Sequence, residues 1–224
     1  MSIKLAGFEL PEGQHRVTVY FPWSAQTVVS EVHLSDGASI IPVKKKCKLL
    51  CFGDSITQGY TSRYTSLSYV NQTARALDAE VVNQGIGGYY FNEATIESSI
   101  VSYQPDVITV AYGTNDWRKH PRDVFFSDVK AFFENLEKTY PNIPKIVVTP
   151  IWRKNHDAQT DFSSMDEVRE GIRLAAQVCT GVTVVDGLGL VPQDVEYFGD
   201  YGCHPNGRGF ACFFQNLWAQ IKKD

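Results

Sequence analysis

From Lys48 onward, short apolar runs alternate with longer stretches of helical periodicity. The runs predict five β-strands, at residues 48–52, 80–83, 106–112, 145–149 and 182–186. Consecutive parallel strands need long crossover connections, and helices of this length are the usual connection. The alternation therefore predicts one parallel sheet that is covered by helices on both faces. This pattern constrains the fold more than any other feature of the chain.

The helical stretches carry apolar side chains on one face, which predicts that each helix packs against the sheet. The faces comprise Leu67, Val70, Ala74 and Leu77; Phe125, Val129, Phe132, Phe133 and Leu136; Val168, Ile172, Ala175 and Cys179; and Phe210, Phe213, Phe214, Leu217 and Ile221. Before the third of these, Ser164 and Glu167 have the spacing of a capping box, so Ser164 is expected to cap that helix with its side chain.

The first 46 residues have a different character. Strand-like runs at residues 3–10, 15–21 and 28–34 are separated by turn-forming residues, which predicts a β-rich N-terminal segment. A few short strands do not form a stable domain alone. We expect this segment to dock on the main body, to pair with a second copy in a homo-oligomer, or to be the end of a larger β-sandwich. The predicted domain division is 1–46 and 47–224.

Composition excludes some classes of partner. The net charge is −4, and the densest basic run is Lys44-Lys45-Lys46 with Lys48, so nucleic acid is not an expected partner. No apolar stretch approaches the ~18 residues needed to span a bilayer, and the N-terminus lacks the apolar core of a secretory signal. Five cysteines without regular spacing are typical of reduced thiols. We therefore expect a cytoplasmic protein with no membrane partner.

Polar and glycine-rich motifs follow the predicted strands where ligands bind in open α/β sheets. Gly53-Asp54-Ser55 follows the first strand, a loop from Asn83 to Tyr90 the second, and Gly113-Thr114-Asn115-Asp116 the third. The sequence His204-Pro205-Asn206 precedes the last helix. Because all these loops open on one sheet edge, we expect a hydroxyl, a glycine-rich backbone, an amide and an imidazole in one crevice.

Those groups are the parts of an acyl-transfer site. The Ser55 hydroxyl can attack a carbonyl if a base removes its proton, and His204 is the histidine placed to be that base. The backbone N–H groups of Ser55 and Gly88, together with the amide of Asn115, can form an oxyanion hole. One such donor typically contributes ~3–4 kcal/mol to catalysis.

These four motifs resemble the blocks of the SGNH (GDSL-type) hydrolase superfamily, which carry Ser, Gly, Asn and His in that order. The resemblance covers residues 47–224 and implies a three-layer α/β/α fold of flavodoxin-like topology. It also implies that Ser55 is the nucleophile, that His204 is the base, and that Ser55, Gly88 and Asn115 form the oxyanion hole, with Gly85 as second choice for the glycine. Some carbohydrate esterases of this superfamily carry a β-sandwich ahead of the catalytic domain, as residues 1–46 suggest here.

The last block departs from the family pattern. The family usually has an aspartate three residues before the histidine, but this chain has Tyr201 there, and Asp200 lies four residues before. In one alternative the loop carries an extra residue and Asp200 still reaches the imidazole to complete a triad. In the other, the site is a Ser-His dyad in which a backbone carbonyl orients the ring.

Aromatic residues near the same edge are candidates for substrate binding. Tyr89, Trp117 and Trp152 lie in or beside the loops and can stack on a sugar or line an acyl pocket, or can instead fill the loop cores. Cys203 adjoins His204, but no second pair of ligands has zinc spacing, so neither a metal nor a cofactor is expected.

We predict a serine esterase that hydrolyses short acyl esters, with O-acetyl groups on carbohydrate as the favoured substrate. Three alternatives remain open: a glycan-binding module that has lost catalysis, a lysophospholipase-like or thioesterase-like acyl hydrolase, and a flavodoxin-like mononucleotide binder that uses the hydroxyl-rich loop 55–66.

Overall fold

Five parallel strands form the centre of the protein in the computed structural model, which describes residues 7–97 and 103–222. The strands are β1 (Cys47–Gly53), β2 (Ala79–Gly85), β3 (Val107–Ala111), β4 (Lys145–Val148) and β5 (Val182–Val185). They lie in the order β2-β1-β3-β4-β5, and all neighbours are parallel. This is the flavodoxin-like order, so the predicted fold class is confirmed.

Helices connect the strands and cover both faces of the sheet. In the described residues they are α1 (Ser55–Gln58), α2 (Tyr69–Leu77), α3 (Ala94–Glu97), α4 (Asp116–Lys119), α5 (Arg122–Thr139), α6 (Met165–Ala175) and α7 (Gly207–Ile221). Single 3₁₀ turns at Thr65–Leu67, Ala176–Val178, Gly187–Gly189 and Val195–Tyr197 complete the connections.

Two apolar cores lie on opposite faces of the sheet because neighbouring side chains of a strand point in opposite directions. In β1, Leu50 and Phe52 belong to the core under α5 and α6, whereas Leu49 and Cys51 belong to the core under α2 and α7. The predicted apolar stripe of α5 is buried in full. Because both faces of β1 and β4 are covered, Leu49–Phe52 in β1 and Ile146–Val148 in β4 are continuous apolar runs.

The topology brings four loops to one edge. β1 occupies the position where the strand order reverses, with β2 on one side and β3 on the other. The loops that follow β1, β2 and β3 therefore open at the carboxyl edge beside this reversal, where open α/β sheets bind ligands. These three loops carry Ser55, Gly88 and Asn115, and the fourth loop, which carries His204, precedes α7 and meets Ser55 at the same edge.

The predicted N-terminal strands are not formed in the described residues 7–46. That segment contains turns and bends but no strand, and the predicted run 3–10 lies partly outside the described residues. An alternating apolar pattern becomes a strand only when a neighbouring backbone pairs with it, and none of the described segments pairs with residues 7–45. The apolar side chains of the segment stay exposed, among them Phe8, Val19, Val28 and Ile40. The division of the chain into a segment 1–46 and a domain 47–224 stays a prediction.

The predicted capping box also differs in detail. Ser164 occupies the N-cap position of α6, but its side chain makes no capping hydrogen bond. Glu167 instead reaches back to Ser163, accepting from its backbone N–H at 2.8 Å and from its hydroxyl at 3.0 Å. Glu167 therefore accepts hydrogen bonds from Ser163, the residue before the N-cap, and not from the N-cap Ser164 itself.

Candidate active site

Ser55 lies at the turn from β1 into α1. Asp54 is the N-cap of this short helix, and its carboxylate accepts a hydrogen bond from the N–H of Ile56 at 2.8 Å. The preceding Gly53 permits the tight turn, because a Cβ there would lie 1.9 Å from the hydroxyl of Thr57 and 2.8 Å from the carbonyl of Ala111. The turn leaves Ser55 only 8% exposed, at the carboxyl edge of the sheet.

His204 meets Ser55 from the opposite end of the chain. Its Nε2 lies 2.7 Å from the Ser55 hydroxyl oxygen, a hydrogen-bond distance. The histidine immediately precedes α7, whose N-cap Asn206 accepts hydrogen bonds from the N–H groups of Arg208 and Gly209. The Thr61 hydroxyl shares its one proton among the carbonyls of Tyr60 at 2.7 Å, Pro205 at 3.0 Å and His204 at 3.2 Å, so the loop after Ser55 contacts the backbone at His204.

Asp200 reaches the imidazole despite its four-residue separation. Its Oδ2 lies 2.5 Å from His204 Nδ1, and its Oδ1 accepts from the N–H groups of His204 at 2.8 Å and Cys203 at 3.0 Å. Two residues with left-handed backbone conformations, Tyr201 (φ 63°) and Gly202 (φ 130°), turn the chain tightly, so that Asp200 reaches the ring despite the extra residue between them. The structure therefore places Asp200 where the first of the two sequence alternatives requires it.

This chain of contacts sets the tautomer of the histidine. A carboxylate accepts hydrogen bonds only, so Nδ1 donates to Asp200 and Nε2 is left to accept from the Ser55 hydroxyl. Burial raises the pKa of Asp200, but the hydrogen bonds from His204 and Cys203 outweigh it, and the net pKa lies below its ordinary value. Asp200 is therefore ionised in neutral solution, and its negative charge stabilises a positive charge that forms on the ring.

The predicted oxyanion donors lie in the loops after β2 and β3. One N–H of the Asn115 amide donates to the carbonyl of Tyr89 at 2.9 Å, which fixes the amide and leaves its second N–H for another acceptor. Gly88 has φ 77°, and its carbonyl accepts from Lys119 Nζ at 3.0 Å. Gly87 comes near the nucleophile, because a Cβ on it would lie 3.9 Å from Ser55 Cβ.

Gly85, the second choice for the oxyanion glycine, has a packing role. A Cβ at this position would lie 2.2 Å from the backbone nitrogen of Gln58, so glycine lets β2 end directly against α1. The oxyanion roles of Ser55, Gly88 and Asn115 stay predictions, and their placement at one edge is the structural observation that supports them.

Two buried carboxyl groups lie beneath the site. Burial raises the pKa of Asp54 to about 7, against the opposing hydrogen bond from Ile56 and the charge of Arg153. Burial likewise raises the pKa of Asp116 to about 7, and the charge of Asp54 adds to this effect. Near neutral pH, each of these two carboxyl groups is therefore protonated in part, and the neutral form avoids the free-energy cost of burying a charge.

The three predicted substrate-binding aromatics take different positions. Trp117 is 1% exposed and belongs to the core under α5 and α6, so its ring cannot reach a ligand in the crevice. The reason is that α4 turns the side chains of Asp116 and Trp117 inward, whereas Arg118 and Lys119, which follow them, are exposed. Trp152 is also buried, packed on Phe198. Tyr89 is partly buried and stacks on Tyr90, so it retains some access.

Two aromatic residues beside the base were not predicted as site residues. Tyr60 is 42% exposed, and its ring centroid lies 4.7 Å from that of His204. Trp23 from the N-terminal segment packs edge-on against Tyr60 at 4.8 Å and donates its indole N–H to the carbonyl of Ser62 at 3.0 Å. In return, the Gln58 amide donates to the Trp23 carbonyl at 2.9 Å. The position of Tyr60, five residues after Ser55 in the same loop, is the sequence signal that could have identified it.

One group of side chains has the ligand types of a metal site. Ligand atoms of Asp200, Cys203 and His204 lie within 4.8 Å of one another. Both ring nitrogens of the histidine are engaged, by Asp200 and Ser55, and burial raises the pKa of the Cys203 thiol to about 11. A thiol must lose its proton to bind a metal, so this group does not fit one.

A serine, a histidine and an aspartate in hydrogen-bonded series at the carboxyl edge of a flavodoxin-like sheet define a class, the serine hydrolases built on this fold. The chain belongs to the GDSL-like lipase/acylhydrolase family, whose model matches residues 51–212. This confirms the resemblance drawn from the four motifs. No curated protein sequence matches the chain.

Solved structures of the same fold share about a fifth of the sequence. A family two carbohydrate esterase from Clostridium thermocellum, in complex with cellohexaose, has 20% identity and a TM-score of 0.65 over 83% of this chain and 66% of its own. A candidate GDSL-like lipase from Bacteroides ovatus has 19% identity and a TM-score of 0.67 over 80% and 53%. The salicylyl-acyltransferase SsfX3 of a tetracycline biosynthetic pathway has 18% identity and a TM-score of 0.68 over 81% and 56%. The chain thus spans about half the length of the last two.

In the part of the chain that the structure describes, every helix is too short or too polar to cross a bilayer.

Proposed function

We propose that this protein is a serine esterase that acts on short acyl esters through an acyl-Ser55 intermediate. The observation that carries the proposal is the continuous series Ser55–His204–Asp200, with contacts of 2.7 and 2.5 Å. A hydroxyl bonded to a neutral imidazole, which is oriented by a carboxylate, is the arrangement that activates serine as a nucleophile.

The reaction follows from the protonation states of the site. The Ser55 oxygen bonds to the ester carbonyl carbon while His204 Nε2 takes the hydroxyl proton, and the electron pair of the carbonyl moves to its oxygen. The N–H groups of Ser55 and Gly88 and the amide of Asn115 are the proposed donors to that oxygen. As the carbon–alcohol bond breaks, His204 passes its proton to the leaving alcohol. A water molecule then repeats both steps and releases the acid from the serine.

The favoured substrate is an O-acetyl ester of a carbohydrate. One structural observation supports it: the exposed ring of Tyr60, with Trp23 packed against it, lies beside His204, where the leaving alcohol would depart. Aromatic faces of this kind provide contact area for a sugar ring. The fold similarity to a carbohydrate esterase adds an analogy. Thioester and lysophospholipid hydrolysis, and acyl transfer to an alcohol other than water, use the same chemistry and are the alternatives.

The rival hypothesis of a glycan-binding module rested on a missing acid. Asp200 is bonded to the imidazole, so the observation that motivated this rival no longer favours it. The mononucleotide hypothesis needs the hydroxyl of Ser55 for phosphate, but that hydroxyl is engaged with His204.

Hydrolysis of p-nitrophenyl acetate by the purified protein tests the proposal, with Ser55→Ala as the nucleophile variant and Ser66→Ala as the matched control in the same loop. We expect kcat/KM to fall by at least about 10³-fold in Ser55→Ala and to stay within about twofold in the control. Equal rates in wild type and Ser55→Ala would refute the acyl-serine mechanism. Release of acetate from acetylated cello- and xylo-oligosaccharides, measured with Tyr60→Ala and Trp23→Ala, then tests the carbohydrate substrate through KM.

A further inference from the structure

Three cationic side chains lie around the loops that carry the proposed oxyanion donors. Lys119 Nζ donates to the carbonyl of Gly88 at 3.0 Å. The guanidinium of Arg153 donates from Nη1 to the carbonyl of Thr114 at 3.1 Å, directly before Asn115. The third is Arg118, next to Lys119 in α4. We call these three cations, Arg118, Lys119 and Arg153, the cationic rim.

The guanidinium of Arg153 is held in a fixed position. Its Nε donates to Asn155 at 2.7 Å, and its plane lies over the Trp117 ring at 5.3 Å, with Arg118 over the same ring at 5.9 Å. Arginine has five N–H donors, and Asn155 and Thr114 use two of them, so three remain for a ligand. A planar fork that is already oriented loses little entropy when it binds a carboxylate.

No carboxylate of the described residues forms an ion pair with any member of the cationic rim. The rim nonetheless acts on the site: Arg153 and Lys119 lower the pKa of Asp54 against its burial, and Arg153 and Arg118 lower that of Cys203 in the same way. A chain with a net charge of −4 thus places three cations without a carboxylate partner in the described residues around the loops of the proposed oxyanion donors. Such a local field attracts anions even when the whole protein is acidic.

A cleft gives a ligand room beside this rim. Its volume is about 350 Å³, and it lies between Trp117–Pro121 and the loop 158–161. Arg118 and Lys119 line it on one side, and Asp161, its one carboxylate, lies on the other. Lys119, which lines this cleft, also donates to the carbonyl of Gly88 and so connects the cleft with the loop of the proposed oxyanion donors.

We propose that the cationic rim binds a carboxylate carried by the substrate, so that the enzyme prefers anionic esters over neutral esters of the same size. The inference rests on the proposed esterase function and names the class of ester. Charge-assisted hydrogen bonds from arginine and lysine are the interactions that recognise a carboxylate. The carboxylate can belong to the acyl half, as in a half-ester of a dicarboxylic acid, or to the alcohol half, as in an acidic sugar.

Two pairs of chromogenic or acetylated esters distinguish these sources. Mono-p-nitrophenyl succinate against p-nitrophenyl 4-methylpentanoate places the charge in the acyl half, and 4-acetoxybenzoate against 4-acetoxybenzamide places it in the alcohol half. The quantity measured is the ratio of kcat/KM for the anionic ester to that for its neutral partner. Because each pair is matched in size, the ratio reports charge recognition rather than fit.

The variants are Lys119→Met and Arg153→Met, with Arg153→Lys as the conservative variant and Lys138→Met as the control at a distant exposed lysine. We expect the ratio for at least one pair to fall about three- to tenfold in Lys119→Met and in Arg153→Met. It should recover in part in Arg153→Lys and stay unchanged in Lys138→Met. Added KCl should lower the wild-type ratio, because salt screens exposed charges.

Equal ratios in wild type and both methionine variants, for both pairs, would overturn the anionic preference while the hydrolysis of the neutral esters upheld the esterase function. Loss of all hydrolysis in wild type would overturn the esterase function and the inference with it. Because Lys119 is exposed, Lys119→Met keeps the test valid even where Arg153→Met fails to fold.

Discussion

Replacing Asp200 by asparagine should reduce turnover strongly while it leaves the fold nearly unchanged. The two N–H groups of Cys203 and His204 that point at Asp200 Oδ1 keep an acceptor in the amide oxygen. The amide nitrogen then takes the place of Oδ2 opposite His204 Nδ1. Because that nitrogen donates hydrogen bonds, the ring is driven into the tautomer with the proton on Nε2, which cannot accept the Ser55 proton.

The magnitude follows from how far this contact is enclosed. In the serine-protease template, the same substitution of a buried aspartate lowers kcat about 10⁴-fold. Here the Asp200 side chain is 32% exposed, so water can replace part of the lost interaction. We therefore expect kcat to fall by about 10² to 10⁴-fold, with KM changed by less than about threefold, because Asp200 acts behind the histidine and does not face the substrate.

Stability against pH gives an independent readout of the same carboxylate. The pKa of Asp200 is lower in the folded protein than its ordinary value of 3.8. The stabilisation is thus fully present above the unfolded pKa and is lost as pH falls through the lower folded pKa. Wild type should lose stability below about pH 4 more steeply than Asp200→Asn.

The assay is p-nitrophenyl acetate hydrolysis together with the melting temperature of each protein. Asp194→Asn is the matched control, because Asp194 is also an exposed aspartate that accepts from a nearby backbone N–H, that of Glu196, at the 3₁₀ turn Val195–Tyr197. If Asp200→Asn retains wild-type kcat within about threefold, the imidazole is oriented by another group, and the dyad alternative is the correct one.

Substitutions at three further positions test other parts of the structure. Trp117→Phe should leave KM within about twofold, because the ring is buried in the core. Trp117→Ala should lower the free energy of unfolding, measured in urea, by about 3–5 kcal/mol. A changed KM in a folded Trp117→Phe variant would show that Trp117 does contact the substrate. Asp116, with its pKa raised to about 7, binds a proton in the folded state between about pH 4 and 7 that the unfolded chain does not, so stability falls as pH rises through that window. Asp116→Asn should therefore gain about 1–3 kcal/mol relative to wild type at pH 8 compared with pH 5, and an equal difference at both pH values contradicts this. Gly202→Ala should lose about 2 kcal/mol or more in thermal unfolding and lower kcat, because its Cβ would lie 2.4 Å from that of Lys154, whereas Gly189→Ala meets nothing within 4 Å and should behave as wild type.

The sheet could be predicted from the sequence because the pattern is local. Each buried strand is a short apolar run, and each helix shows its stripe within 10 to 18 residues, so no distant contact is needed to read them. Ser55, Asn115 and His204 could be placed at one edge for the same reason: each directly follows a strand or precedes a helix, and parallel strands share their carboxyl edge.

Asp200 could not be assigned in this way. A separation of four residues reaches the ring only if the intervening backbone turns tightly, and the left-handed conformations of Tyr201 and Gly202 provide that turn. Tyrosine rarely adopts a left-handed conformation, so a tyrosine at position 201 gave no indication of this turn in the sequence. The loop is fixed from outside, by the carbonyl of Gly202 accepting from the N–H of Lys154 at 2.8 Å.

The aromatic residues show the same limit. Trp117 and Tyr60 both lie within a few residues of a site motif, yet one is buried and the other borders the base. Direction of a side chain within a short helix or loop depends on the elements that pack around it. Sequence spacing alone does not contain that information.

The amino-acid sequence was enough to predict the order of strands and helices along the chain, the carboxyl-edge position of Ser55, Asn115 and His204, and the family, because these depend on periodicity and on motifs a few residues long. The folded structure was needed to see that Asp200 contacts the imidazole, that Trp117 is core, that Trp23 packs beside Tyr60 near His204, and that residues 7–46 form no strand. Each of these depends on contacts between segments far apart in the chain. A strand in particular exists only when a second backbone accepts and donates its hydrogen bonds.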